Sequence, residues 1–463
     1  MAAFLPPALS DTIIALSTPP GAGAIAVLRL SGPSAIGITD LVFHGHQLAD
    51  QRGHTMHYGT IRDGDRILDE VVVSLFRGPR SYTREDVVEI SCHGSDYIVQ
   101  QLLMLLVRCG ARLAEPGEFT KRAFLRGAMD LAQAEAVADL IASDSALSHQ
   151  VAMQQMRGGF SRELRDLRAR LVQFASLLEL ELDFGEEDVE FADRTGLVAL
   201  SQEVQALVRK LLRSFELGNV IKNGVTTVIA GRPNAGKSTL LNALLNEERA
   251  IVSAIAGTTR DLIEDEVSIE GIRFRFVDTA GLRDTTDVVE SMGVERTRQR
   301  VLQAAVVLYL FDITSTSPAQ LEAEIEDLRL PSGVPVVAVG NKLDVASDDE
   351  ISAFSFRPDT VLIAASRGDG LDELQASLLR HVRGAGLDRT GGSTIVTNLR
   401  HARSLEATTT ALDAVLVGLA TGAGTELIAA DLRQALAALG EITGEISTDD
   451  LLTSIFTQFC IGK

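Results

Sequence analysis

The 463-residue chain contains no tryptophan, four tyrosines and only three cysteines, Cys92, Cys109 and Cys460. An odd, widely spaced cysteine set builds neither a disulfide framework nor a paired zinc site, and it suggests a reducing, cytoplasmic location. Cations are in deficit: 43 Lys and Arg stand against 63 Asp and Glu, a formal net charge of −20. A stand-alone nucleic-acid binder carries a basic footprint. Any such role here must rest on a local patch or on a partner protein. No uncharged apolar run of about 18 residues occurs, which argues against a membrane span. The start, MAAFLPPALSDTIIALSTPPG, lacks the basic segment and long apolar run of a secretory signal. Internal repeats and low-complexity tracts are absent too.

What remains is ordinary globular composition, 46% hydrophobic and 23% charged. The length predicts about three domains. Residues 1–125 hold short β-rich runs such as GAIAVLRLSG and LDEVVVSLF, with one helical run, YIVQQLLMLLVRCG. They predict a small α+β domain. Residues 126–222 read as helical, with RELRDLRARLVQFASLLELEL as the clearest stretch. Residues 223–384 alternate apolar strands with helices, an α/β pattern, and residues 385–463 return to helix. The two helical stretches flank the α/β block. This predicts a multidomain α/β protein in which one helical domain receives an inserted α/β domain.

The α/β block carries a nucleotide signature. GRPNAGKS, Gly231–Ser238, fits G-x-x-x-x-G-K-[ST] and stands between an apolar strand and the helix STLLNALLN. In that context the amides of Asn234, Ala235, Gly236, Lys237, Ser238 and Thr239 can wrap phosphates. Lys237 reaches the outer phosphates and Ser238 offers a hydroxyl to Mg²⁺. Further along, DTAG (Asp278, Thr279, Ala280, Gly281) ends a second apolar strand. It suits an acid near Mg²⁺ and an amide facing the terminal phosphate. NKLD follows a third strand, and Asp344, with Asn341 and Lys342 before it, can accept from guanine N1 and N2. Adenine lacks that donor arrangement, so the base is guanine. NKLD alone is weak. The three motifs in series make this a GTP site.

Between the first two motifs lies GTTRD, Gly257–Asp261, where Thr259 completes the Mg²⁺ shell when the terminal phosphate is present. Read alone, the segment could be a simple turn. The position after DTAG is Leu282, where Ras-like GTPases place a water-orienting glutamine. Asn234 is a candidate oxygen donor for a monovalent cation, and a K⁺ there could take the role of an arginine finger. Glu290 could hold the attacking water, or could simply be a carboxylate favourable to a helix dipole.

GRPNAGKSTLLNALL, AGTTRD, DTAGLRDTTDVVE and NKLD together resemble the MnmE (TrmE) family of tRNA-modification GTPases. STPPGAGAIAVLRLSG, SYTREDVVEISCHG, PGEFTKRAFLRGAMDLAQAEAVADLI and the terminal FCIGK extend the resemblance over essentially the whole chain. It implies an N-terminal folate-binding domain that also dimerises, a helical domain, and an inserted Ras-like phosphate-loop GTPase domain. It further implies a homodimer that works with the FAD-dependent MnmG. The product is an aminomethyl or carboxymethylaminomethyl group on C5 of the wobble uridine of certain tRNAs. The one-carbon unit comes from a tetrahydrofolate derivative, 5,10-methylene- or 5-formyl-tetrahydrofolate. GTP hydrolysis is then K⁺-dependent and driven by pairing of two GTPase domains.

By motif match, Asn234, Ser253, Ile255 and Thr258 ligate K⁺, and Ser238 and Thr259 ligate Mg²⁺. Glu290 orients water, and Ala254, Ala256 and Gly257 complete the nucleotide-binding loop. Cys460 becomes the thiol required for modification, with Arg29, Glu89, position 128 and Lys463 at the folate pocket. A lysine suits folate's carboxylate tail. Without the family, the alternative for Cys460 is a small apolar residue packed under a helix.

Two departures stand out. Position 128 is Ala128, in FLRGAMDL, where the family carries a basic residue, and Arg126 is the neighbouring candidate replacement. The guanine-side loop reads Ala364, Ala365, Ser366 instead of Ser-Ala-Lys or Ser-Ala-Arg, leaving the Ala365 amide to serve guanine O6. The acidic run Glu181–Phe191 reads as a solvated loop, and Cys92–His93 as part of the pocket wall. The competing function is a K⁺-dependent regulatory GTPase switch, such as a ribosome-assembly factor. Such a switch has no use for a folate domain or a terminal thiol.

Overall fold

The computed structural model describes residues 10–183, 193–248, 264–278, 304–330, 334–354, 357, 359–383, 395–457 and 459–462. The chain forms two compact units, each assembled from separated segments. One takes Met1–Ile141, Met153–Leu200 and Ala411–Lys463; the other takes Ala142–Ala152 and Ser201–Thr410. Among the described residues no helix is long and apolar enough to cross a membrane.

The first unit contains a seven-stranded sheet. Its strands are β1 (Ile13–Leu16), β2 (Ile25–Ser31), β3 (Phe43–His44), β4 (Thr55–Asp63), β5 (Arg66–Phe76), β6 (Val87–His93) and β7 (Arg112–Leu113). They lie in the order β3-β4-β5-β6-β2-β1-β7, antiparallel except for the β1–β7 pair. Alternation along the strands sorts the side chains by face. Leu28 and Leu30, Val88 and Ile90, and Val71, Val73 and Leu75 are buried in one core. The helix Asp96–Arg108 contributes Val99, Leu102, Leu105 and Leu106 to that core. On the opposite face, Arg29 of β2 stands in register with Glu89 of β6.

Helices complete this unit. Gly159–Asp183 and Thr425–Thr443 pack together, with Arg168 Nε donating to Leu436 O (3.2 Å) and Arg433 pairing with Glu179 (2.6 Å). The helix Asp449–Phe456 buries Leu452 and Phe456 with Phe459 against Leu131 and Ala134.

The second unit holds a six-stranded sheet of β8 (Val225–Gly231), β9 (Glu264–Ile269), β10 (Ile272–Asp278), β11 (Val306–Asp312), β12 (Val336–Asn341) and β13 (Thr360–Leu362). Their order is β13-β12-β11-β8-β10-β9, parallel except for β9. Strands covered on both faces read as continuous apolar runs, and VVLYLFD of β11 is buried almost throughout. One face packs on the helices Lys237–Glu248 and Leu371–Arg383 through Leu240, Leu244, Leu374 and Leu378. The other includes Leu321 from the helix Pro318–Asp327. The strand order reverses at β8, which lies between β10 and β11. In such sheets ligands bind at the carboxyl ends of the strands beside that reversal.

Candidate functional site

Four expected motif positions converge on that edge, with the unexpected Asp312 among them. β8 ends at Gly231, β10 at Asp278, β11 at Asp312 and β12 at Asn341, and the Ala364–Ser366 segment follows β13. Gly231 has φ +141°, and a Cβ there would overlap the Leu310 carbonyl on β11. The loop then passes through Asn234 at φ +63° and Gly236 at φ +100° before the helix begins at Lys237. A side chain at 236 would run into Asn341 Nδ2. Lys237 Nζ curls back over the loop, donating to Gly231 O (2.7 Å) and Arg232 O (3.0 Å). A cation over a ring of backbone amides is a phosphate cradle. Ser238 and Thr239, in the first helical turn, are exposed.

Asn341 is buried and braces two loops at once. Its Nδ2 donates to Ala235 O (2.8 Å), and its Oδ1 accepts from Ala365 N (3.1 Å). The Ala365 amide, expected to face guanine O6, is thus engaged by Asn341, because a buried amide side chain must be satisfied. Ala364 N donates to Asp369 O (2.9 Å), which closes the loop onto itself. Asp344, the expected guanine acceptor, pairs through Oδ2 with Arg367 Nε (3.3 Å). That guanidinium has to share the carboxylate with an incoming base.

Lys342, at φ +69°, pairs with Asp312 Oδ2 (2.5 Å). Burial alone would raise the Asp312 carboxyl, but Lys342 and the Thr314 amide and hydroxyl outweigh it and hold the pKa below the usual value. Together Arg232, Asn234, Ala235, Phe311, Asp312 and Lys342 line a cavity of ≈180 Å³ beside the phosphate loop. Sequence reasoning missed Asp312. A signal existed in its place at the carboxyl end of an apolar strand. It also missed Glu324, which is bonded by Tyr309 OH and paired with Arg232 of the phosphate loop.

Several expected residues lie outside the described residues: Ser253, Ala254, Ile255, Ala256, Gly257, Thr258, Thr259, Thr279, Ala280, Gly281, Glu290 and Lys463. Asp278 is described as backbone, in register with Ile229 of β8.

A second constellation lies in the first unit. Arg29 and Glu89 form an ion pair at 2.8 Å, and the Arg29 guanidinium lies 5.4 Å from the Tyr82 ring centroid and 5.8 Å from that of Phe119. The chain terminus is seated beside them. Arg29 Nη1 donates to Gly462 O (3.5 Å), Ser17 Oγ donates to the same carbonyl (3.2 Å), and Gly117 N donates to Cys460 O (3.4 Å). Gly462 has φ +98°, and a Cβ there would overlap Leu16 O. Cys460 is exposed. Ala128 donates its amide to Ala123 O (2.8 Å). Arg126, the neighbouring candidate replacement, is paired with buried Glu85 at 2.6 Å.

Cys92 is turned inward. Its Sγ donates to Ala26 O (3.5 Å), and burial pushes the thiol pKa up to about 11. The neighbouring His93 instead places Nδ1 2.7 Å from Asp69 Oδ1.

The description "GTP-binding protein TrmE N-terminus" matches residues 12–128, and "MnmE helical domain" matches residues 131–460. The chain is 58% identical to the tRNA modification GTPase MnmE of Cytophaga hutchinsonii over 98% of each chain. It is 52% identical to the protein of that name in Flavobacterium psychrophilum, over 98% of this chain and 99% of the relative. With Bacteroides thetaiotaomicron MnmE the identity is 47% at the same coverage. The phosphate cradle, the seated terminus and these full-length likenesses agree: the chain belongs to the MnmE (TrmE) family of tRNA modification GTPases.

Proposed function

We propose that the chain hydrolyses GTP to drive modification of C5 of the wobble uridine, position 34, in certain tRNAs. It works in the cytoplasm as a homodimer with the FAD-dependent MnmG, and adds an aminomethyl or carboxymethylaminomethyl group. The domain division is 1–125, 126–222 with 385–463, and 223–384. The observation that carries the reading is the seating of Cys460–Gly462 beside Arg29. A regulatory switch needs no such contact between a terminal thiol segment and Arg29.

The donor set suits a folate. Arg29 offers a guanidinium to its glutamate tail and Glu89 a carboxylate to pterin N–H groups. Partly exposed Tyr82 supplies ring surface beside them, with buried Phe119 packed against the Arg29 guanidinium. A bound tetrahydrofolate derivative supplies the one-carbon unit. Arg29 and Glu89 neutralise one another in its absence, so each exchanges a protein partner for a ligand partner.

At the nucleotide site, Lys237 shifts from the loop carbonyls to the phosphates, and Ser238, with Thr259, would hold Mg²⁺. Asn234, at its left-handed turn, would offer its side-chain oxygen to K⁺, with Ser253, Ile255 and Thr258 as the other ligands. Glu290 orients the attacking water. Asp344 selects guanine, because adenine does not offer its carboxylate the N1 and N2 donor arrangement.

The test is nucleoside mass spectrometry on tRNA from a host lacking its own copy. Return of the wobble modification with the native chain, and not with Cys460→Ser, is the expected result. If both chains restore it, Cys460 is structural. Failure of both, together with no binding of 5-formyltetrahydrofolate by the purified protein, would favour the regulatory switch.

A further inference from the structure

The chain carries a net charge of −20, yet the first unit exposes cations that have no ion pair among the described residues. The loop from Arg77 to Asp86 joins β5 to β6 and is fixed against the helix Glu118–Leu125. Tyr82 OH and Thr120 Oγ1 lie 2.9 Å apart, and Arg84 Nη1 donates to Arg126 O (3.1 Å).

Most acids of this neighbourhood are engaged by protein partners. Glu85 pairs with Arg126 (2.6 Å) and Arg122 (3.4 Å), and Glu118 with Arg112 (2.7 Å) and Arg122 (2.9 Å). Asp11 also pairs with Arg112 and Arg122, while Asp86 accepts from the Gly78 amide (3.0 Å). Glu115, two residues before Gly117, is exposed. Arg80 and Arg84 are exposed, Lys121 is partly so, and none of the three has an ion pair among the described residues.

Arg84 is further constrained. It sits at φ +59°, a conformation uncommon outside glycine and asparagine. A strained residue held by its surroundings is a reason to look for function. The helix it touches ends at Leu125, and the opposite end starts at Gly117, whose amide binds the Cys460 carbonyl. Eight helical residues span about 12 Å. Arg84 therefore marks one end of this short helix, Lys121 its first turn, and the exposed thiol segment the other end.

We propose that Arg80, Arg84 and Lys121 form a docking patch for the tRNA sugar–phosphate backbone, holding the nucleic acid so that its target base reaches the Cys460 segment. The inference rests on the tRNA reading above. Guanidinium forks match phosphate oxygens, and an ammonium adds a point charge. An acidic surface of the flavoprotein could also meet these cations. The position on the same short helix as the thiol segment favours the nucleic acid, because the modification has to bring the tRNA there.

The full-length protein is titrated with an in vitro transcribed tRNA bearing uridine at position 34, across a series of KCl concentrations. Counterion release makes the logarithm of affinity fall linearly with the logarithm of salt. The triple variant Arg80→Gln, Arg84→Gln, Lys121→Gln is expected to bind at least about tenfold more weakly at low salt. Its slope should be flatter by about 2, since each lost phosphate contact removes roughly 0.7–0.9. The variant Arg80→Lys, Arg84→Lys keeps the charges and should keep most of the slope, while thermal unfolding reports on folding of both.

An unchanged slope in the triple variant overturns the patch. So does loss of flavoprotein binding with tRNA binding intact. Native protein that binds no tRNA also overturns it. In that last case, wobble modification restored in cells by the native chain would leave the tRNA-modification reading standing without the patch.

Discussion

A single amide, Asn341, holds the phosphate loop to the guanine-side loop through two hydrogen bonds. Replacing it by alanine strands a buried carbonyl and a buried amide, each costing about 1–3 kcal/mol when unpaired. Asn341→Ala should lower both the melting temperature of the nucleotide-free protein and its GTP affinity. Calorimetry and a nucleotide titration would show it, and a change in neither would exclude the brace. In the other unit, Arg29→Gln removes the cation that Glu89 and the terminal turn share. Equilibrium dialysis should then show 5-formyltetrahydrofolate affinity reduced by about tenfold or more, since a charge-assisted contact is roughly twice as strong as a neutral one. Retained affinity would detach Arg29 from the folate site. Gly231, Lys237 and Asn341 were legible because their types and spacing are dictated by the geometry of a phosphate loop and a purine. Asp312 and Glu324 were not. They act on Lys342 and Arg232, which are distant in the chain and brought near only by the sheet.

Elements were legible in proportion to how much of their own pattern holds them. The run YIVQQLLMLLVRC has helical spacing of apolar residues, and the structure places Leu102 of that helix wholly inside the sheet core. Leu102→Ala should cost about 2–5 kcal/mol, the usual range for an aliphatic cavity, read from chemical unfolding. A loss well below 1 kcal/mol would mean that the helix does not seal the sheet. The two-residue strands β3 and β7 are different. They exist because β4 and β1 present open edges to them, so their own sequence carries no periodicity to read. The helix Pro318–Asp327 starts on a reciprocal cap, with Ser317 Oγ accepting from Gln320 N (3.3 Å) and Gln320 Oε1 accepting from Ser317 N (2.9 Å). Serine followed three residues on by glutamine is a local signature of a helix start.

At the scale of the molecule, charge sets two dependences. Burial alone would raise the Glu118 carboxyl, but Arg112, the Glu115 amide and Arg122 hold it below its ordinary 4.5. Asp11 is likewise held below 3.8 by Arg112 and Arg122 against burial. A carboxyl lowered in the folded state stabilises at pH above its unfolded value, and that stabilisation is lost as pH falls through the lowered one. The first unit should therefore lose thermal stability progressively below pH 4.5, and Glu118→Gln should flatten that decline. Equal slopes for both proteins would place the acid sensitivity elsewhere. Exchange of K⁺ for Na⁺ at constant ionic strength should reduce GTP turnover. Constant turnover would remove Asn234 from a cation-binding role.

The segmented make-up of the first unit has a consequence during synthesis. Its opening segment closes at Ile141 and its last begins at Ala411. At elongation rates of roughly 5–20 residues per second, Leu131 and Ala134 wait about 16–65 s for Phe456 and Phe459. Most of the nucleotide-binding unit leaves the ribosome in that interval. The half of the protein that is translated first is thus the one completed last, and until the final residues emerge its apolar surface is what chaperones would meet.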